Sequence, residues 1–136
     1  KLLAPMLEPD RMAVSQRLPW MHGSTVTVGQ AGQVAAFHTG ENSPATATTF
    51  KTVNIYSFSA NTWGRITERL RRHVLSGQLG GYYETVLTEL LAERRISLEA
   101  VFFDEERWYE VDTVEDLHAA GRMFPAPLDE PEPVLA

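Results

Sequence analysis

The sequence predicts an α/β protein with a mixed sheet, and three observations carry that expectation. Short β-branched runs alternate with polar residues, as in Ser24–Val28 (STVTV) and Lys51–Phe58 (KTVNIYSF). After them come two stretches with helical spacing, Trp63/Ile66/Leu70/Val74 and Val86/Leu87/Leu90/Leu91. A further apolar run, Leu98–Phe103 (LEAVFF), follows the second stretch, so strands and helices are interleaved rather than segregated.

Taken in order, Lys1–Leu7 reads as the end of a helix and Arg11–Gln16 as a short buried strand. Ser24–Val28, the turn residues Gly29–Gly32 and the apolar Gln33–Phe37 make a β-hairpin. His38–Thr49 (HTGENSPATATT) has the composition of an exposed loop, and Lys51–Phe58 is a strand with Val53 and Ile55 on one face. Ser59 or Asn61 can cap the first helix, whose apolar stripe leaves Arg65, Arg69 and Arg72 on the other side; Arg69, Arg71 and Arg72 read as its solvated face. Gly77 and the Gly80–Gly81 pair stop that helix, and a second starts near Tyr82. After the strand Leu98–Phe103 and an acidic turn, Asp104–Glu106, the run Arg107–Asp112 (RWYEVD) again alternates like a strand. Thr113 then caps a helix with Glu115 and Asp116 in its first turn and Leu117, Ala120 and Phe124 along one stripe. Residues 125–136 (PAPLDEPEPVLA) are acidic and Pro-rich, as in a tail or linker.

Composition narrows the function. At 136 residues with 43% hydrophobic residues, the chain is long enough for one compact domain with a core. A formal net charge of −6 argues against a broad surface for nucleic acid or anionic lipid. There is no apolar run long enough to span a membrane and no export leader, so a cytoplasmic protein is expected. With zero cysteines, disulfides and thiolate metal sites are excluded, and His22, His38, His73 and His118 are scattered without the spacing of zinc ligands.

The chemistry-bearing run is RWYEVDT. In an extended strand Trp108, Glu110 and Asp112 would share a face, and Asp112 would stand where that strand gives way to a helix, the edge at which open α/β sheets bind ligands. Two carboxylates two residues apart can together hold Mg2+, which prefers carboxylate, water and phosphate oxygens; the alternative is an acidic strand edge followed by a capped helix.

Three segments together, FKTVNIYSFS (Phe50–Ser59), GGYYETVLTEL (Gly80–Leu90) and RWYEVDTVEDLHAAGRMF (Arg107–Phe124), resemble the later half of small-molecule nucleotidyltransferases. Within that group they are most similar to cytidylyltransferases acting on phosphocholine or on phosphonates such as 2-aminoethylphosphonate. WMHGSTVTVGQAGQVAAF (Trp20–Phe37) resembles the hairpin those enzymes place over the substrate, so the likeness covers most of Trp20–Phe124.

The resemblance implies the later half of a Rossmann-like nucleotidyltransferase fold, in which CTP gives CMP to a phosphorylated or phosphonate acceptor and releases pyrophosphate. The family pattern E-[IV]-D-T falls on Glu110–Thr113, which makes Asp112 a ligand of Mg2+ and Glu110 a second contributor. The family's headgroup cage falls on Trp20, Glu84 and Trp108 with Tyr82 or Tyr83, although Glu84 can also serve only its helix N-terminus and Trp108 only a core. Lys51 can meet the acceptor phosphate or be a solvated lysine opening a strand, and Asn54 suits a buried structural hydrogen bond. The family's glycine-rich, arginine-containing nucleotide loop and its other metal-binding Asp have no match here. The resemblance therefore implies that residues 1–124 form the acceptor-binding half, with a covalent neighbour domain in the parent protein. A sugar- or inositol-phosphate acceptor, and a non-catalytic zwitterion-binding or assembly module that dimerises through its hairpin, are the alternatives.

Overall fold

A computed structural model describes residues 3–39 and 46–125, and the chain divides into two compact units, Lys1–Asp104 and Glu105–Ala136. The first unit is a five-stranded mixed sheet with two helices, an α/β arrangement as expected. Its strands are β1 (Arg11–Ser15), β2 (Thr25–Val28), β3 (Val34–His38), β4 (Thr49–Ser57) and β5 (Glu99–Phe103), in the order β3-β2-β4-β1-β5. Only β1 and β5 run parallel. The β2–β3 hairpin forms where the alternation and turn residues placed it. Gly29 N–H donates to Gln33 O at 2.9 Å, and Gly32 takes the left-handed φ of +82° that the turn requires. Within β1, Met12, Ala13, Val14 and Ser15 are all buried, which fits a central strand covered on both faces.

One face of the sheet meets the helices. Met12, Val14, Val26, Val28, Val34 and Phe37 from the strands close on Ile66 of α1 (Ala60–Leu75) and on Val86, Leu87, Leu90 and Leu91 of α2 (Tyr83–Ala92). The 3₁₀ turn Ala4–Leu7 packs against β1 and β4 and buries Met6; Lys1 and Leu2, the start of the expected helix end, lie outside the described residues.

Helix α1 is held at both ends by local chemistry. Ser59 Oγ accepts from Thr62 N–H at 3.2 Å, while Ser59 N–H donates to Asp10 Oδ1 at 2.9 Å. Burial opposes the charged form of Asp10, but the Ser59 amide and the Thr62 and Ser59 hydroxyls outweigh it, and the carboxyl lies below its ordinary value of 3.8. Its contribution to stability is therefore complete above that value and is lost as the pH falls below it. At the C-terminus, Gly77 (φ +76°) donates to Val74 O at 3.1 Å and Gln78 N–H to His73 O at 2.9 Å, a Schellman turn. Helix α2 ends the same way, with Arg94 donating to Leu91 O and Arg95 to Leu90 O, but here an arginine holds the left-handed position, at φ +56°. Arg94→Gly is expected to raise the unfolding free energy by about 0.5–1 kcal/mol, because the strain of a side chain there exceeds the entropy glycine adds to the unfolded chain. Chemical denaturation measures it; an unchanged or lower midpoint would count against that turn.

Three expectations are corrected. The stripe of α1 holds only in its middle: Ile66 is 5% exposed and Leu70 packs against the core, but Trp63 and Val74 are 53% and 60% exposed. Thr62, Arg69 and His73 turn inward in their place, because α2 offers Glu89 and Glu93 one turn apart. Arg69, read as solvated, bonds Glu89 Oε2 and Glu93 Oε2, each at 2.6 Å, and His73 Nε2 lies 3.1 Å from Glu89 Oε2. Trp63 stacks on Phe58, and Phe58 on Tyr56, which gives the outward ring an apolar neighbour. Second, Asn54 is exposed rather than buried and has φ +59°, because β4 bulges here: between the pairs Thr52–Val14 and Tyr56–Met12 lie residues 53–55 of β4 against Ala13 alone of β1. Its Oδ1 accepts from Thr52 Oγ1 at 3.2 Å.

Third, Arg107–Asp112 forms no strand. Glu105–Arg107 is a 3₁₀ turn in the second unit, and the chain runs irregularly to α3 (Val114–Met123). The backbone is committed to the helix start rather than to a ladder, since Asp112 N–H and Thr113 N–H both point to Asp116 Oδ2, at 3.3 and 2.9 Å. The Thr113 cap is as expected and is reciprocal, with Thr113 Oγ1 accepting from Asp116 N–H at 3.1 Å. Of the expected stripe on α3, Leu117 and Phe124 are exposed, and Ala120 is half-buried. Residues 40–45 of the expected loop and 126–136 of the expected tail lie outside the described residues.

Candidate functional site

In the first unit the functional candidates divide between a lysine within the sheet and the first turn of α2. Lys51, on β4, is 2% exposed, which overturns its reading as a solvated residue. It is held there by register, since Thr25 of β2 and Ser15 of β1 pair with it from either side. Directly paired residues project to the same face, and this is the face away from the helices, because the neighbouring positions Val14, Val26 and Phe50 point to the helical core. The Lys51 Nζ donates to Thr52 O at 3.2 Å and lies against Gly23, where a Cβ would come within 3.4 Å of the ammonium. Gly23 has φ +88°, so the segment before β2 makes its close approach with the one residue suited to that backbone. Ser15 and Thr25 are each 0% exposed, and neither hydroxyl oxygen has a hydrogen-bond partner.

Glu84 is the second residue of α2, whose N-cap, Tyr82, supplies no side-chain hydrogen bond. A carboxylate suits that helix end. The dipole does not complete the group, however: Glu84 Oε2 is buried and has no hydrogen-bond partner. The other cage candidates of this unit do not share its environment. Tyr82 is 80% exposed, Tyr83 is 45% exposed and sets its ring edge-on to Tyr56 at 6.1 Å, and Trp20 is half exposed. Lys51 and Tyr56 stand on opposite faces of β4, since Tyr56 pairs with the core residue Met12.

In the second unit Asp112 is exposed, and its carboxylate makes no hydrogen bond or ion pair among the described residues. Glu110 and Trp108 are half-buried, and the Trp108 indole nitrogen is buried without a partner. Because the run is not a strand, alternation no longer places Trp108, Glu110 and Asp112 on one face, and Asp112 does not stand at a strand end. Among the described residues no three His, Cys, Asp or Glu side chains gather into a metal cluster. Asp112 nevertheless fits the donor chemistry of Mg2+, which takes one or two protein carboxylates and fills its shell with water and phosphate oxygens.

Sequence reasoning passed over Ser15, Thr25 and Gly23. The available signal was two hydroxyl residues closing or opening otherwise apolar strands, a pattern equally common at surface strand ends. A cleft of about 830 Å³ between the first turns of α1 and the end of α2, lined in part by Asp10, Arg65, Arg94 and Arg95, contains none of the expected residues. His38 Nε2 lies 2.8 Å from Thr27 Oγ1, and no helix among the described residues is long and apolar enough to cross a membrane. A scan of protein-family models and searches of curated proteins and solved structures found no match to this chain.

Proposed function

We propose that this chain is the acceptor-binding part of a cytidylyltransferase that moves CMP from CTP to a small phosphorylated or phosphonate acceptor bearing a cationic headgroup, such as phosphocholine or 2-aminoethylphosphonate. The observation that carries the reading is the buried, unpartnered carboxylate oxygen of Glu84. A desolvated anionic oxygen with no donor is costly, and a cation that enters beside it supplies the missing charge.

The chemistry is a single displacement. An acceptor oxygen attacks the α-phosphorus of CTP, a new P–O bond forms, and the bond from that phosphorus to the bridging oxygen breaks as pyrophosphate leaves. No covalent enzyme intermediate is required, and the protein's task is positioning and charge compensation. On this reading Glu84 orients the headgroup, and the second unit, taken by itself, offers Asp112, aided by Glu110, as the carboxylates that would hold Mg2+. The metal, when bound, supplies neutralisation of the triphosphate.

The test is pyrophosphate release by the chain in its parent polypeptide with CTP and Mg2+, offered phosphocholine, 2-aminoethylphosphonate and inositol phosphate. Release with a cationic acceptor, and a rise of roughly ten- to a hundredfold in that acceptor's KM in Glu84→Gln, is the expected result. Preference for inositol phosphate would move the assignment to a neutral acceptor. The binding-module reading is favoured by the irregular backbone around Asp112, which removes the strand-end argument for a metal. It requires phosphocholine to bind without metal and Asp112→Ala to leave that affinity unchanged.

A further inference from the structure

We propose that the cleft between the first turns of α1 and the end of α2 binds a small phosphomonoester, its phosphate dianion held by Arg65, Arg94 and Arg95 and its uncharged organic body set on an apolar floor. The site does not depend on the function proposed above. It lies at the C-terminal end of α2, whereas Glu84 stands in the first turn of that helix. Its volume, about 830 Å³, falls in the range of small-molecule pockets, roughly 300–1,000 Å³.

Charge selects the sign of the ligand. Three arginines line the cleft against one carboxylate, Asp10, an excess of two positive charges. Asp10 is already engaged, since its Oδ1 accepts from Ser59 N–H at 2.9 Å. Glu68, Glu89 and Glu93 are committed elsewhere: Glu68 pairs with Arg72, and Arg69 bonds Glu89 and both oxygens of Glu93. Those Arg69 bonds, with Arg95 a lesser cause, hold the Glu93 carboxyl below its ordinary value. The Arg94 and Arg95 side chains themselves make no hydrogen bond or ion pair among the described residues. Arg65 gives one N–H to Arg95 O at 2.7 Å, which fixes its guanidinium between α1 and the turn after α2 and leaves its other donors for a ligand.

Arg94 adds an independent argument. It holds the left-handed φ of +56° at the turn that ends α2, where glycine would be less strained. A helix C-terminus favours cations, but Arg95 supplies one from the next position without that strain. A side chain kept at the strained position therefore points to a use beyond the fold. Guanidinium groups grip the oxygens of a phosphate two at a time, and an excess of two charges matches a dianion. The floor of Val34, Leu91 and Ile96 suits an apolar body. A net charge of −6 on the chain disfavours a long polyanion, which keeps the ligand small.

The test is calorimetric titration of the 136-residue chain with phenyl phosphate, inorganic phosphate and benzoate, at about pH 8, where the phosphate ester is a dianion. Phenyl phosphate is expected to bind best, inorganic phosphate less well for want of the floor, and benzoate least for want of the second charge. Arg94→Gly and Arg95→Gln should each weaken phenyl phosphate roughly tenfold. In Arg94→Gly the thermal midpoint should rise at the same time, a combination that loss of fold cannot produce. Arg71 is exposed on α1 and lines no part of the cleft, so Arg71→Gln removes the same charge and should change affinity by less than about twofold. Absence of phenyl phosphate binding by the unaltered chain overturns the proposal. Equal weakening in Arg71→Gln does so too, because only the general charge of the surface is then felt. Benzoate binding as tightly as phenyl phosphate overturns the assignment to a phosphate dianion.

Discussion

If the chain is part of the transferase proposed above, Asp112→Ala is expected to lower pyrophosphate release by the parent polypeptide roughly a thousandfold, while leaving the denaturation midpoint of the chain where it was. The two halves of that result come from different features of one residue. Its backbone N–H belongs to the start of α3, donating to Asp116 Oδ2, and alanine keeps that bond. The carboxylate is exposed and makes no bond among the described residues, so nothing in the fold depends on it. A carboxylate that contributes nothing to stability yet stands next to a helix cap is available for a ligand, and for the proposed transfer between two anions the ligand with most leverage is a divalent cation. Thr113→Ala is the contrasting variant. It removes the Oγ1 that accepts from Asp116 N–H and should cost about 1 kcal/mol of stability, with activity falling only as far as Asp112 shifts. If Asp112→Ala retains activity within a few-fold, the metal assignment is wrong and the binding module becomes the better reading.

That pair of residues also shows where sequence reasoning succeeds and where it stops. Thr113 was legible because a cap is a local device, settled by a hydroxyl and a carboxylate three residues apart. The strand before it was not, because alternation shows that a run can be extended but not that a partner strand waits beside it. The hairpin was legible for the same local reason as the cap: β-branched alternation and glycine turns fix it within fifteen residues. Helix α1 lies between these cases. Its existence, its Ser59 cap and its glycine stop follow from the sequence, but how far its stripe runs was decided by Glu89 and Glu93 of another helix, which draw Arg69 inward and leave Trp63 outside. Lys51 is the sharpest example. A lysine opening a strand gives no sign of burial, and only the register that sets it between Ser15 and Thr25 reveals a polar row inside the sheet.

Leu87→Ala should destabilise the chain by about 2–5 kcal/mol, the largest stability effect expected of any single substitution considered. Leu87 is 1% exposed in the middle of α2, next to the equally buried Val86, and it belongs to the cluster that joins α2 to the sheet. Truncation removes its transfer free energy and leaves a cavity among Val, Leu and Ile side chains fixed by strands on one side, so relaxation recovers little. For a domain whose whole stability is on the order of 5–15 kcal/mol, the loss is a large fraction. On the proposed function it also reaches binding, because Glu84 lies one turn earlier on the same helix and the burial of its Oε2 depends on α2 staying seated against β3. Affinity for a cationic acceptor should therefore fall along with the urea midpoint in Leu87→Ala. Val74→Ala, at a position 60% exposed on α1, should change either quantity little. Should Leu87→Ala cost less than about 1 kcal/mol, α2 is not packed as described, and the buried oxygen on which the proposed role of Glu84 rests goes with it.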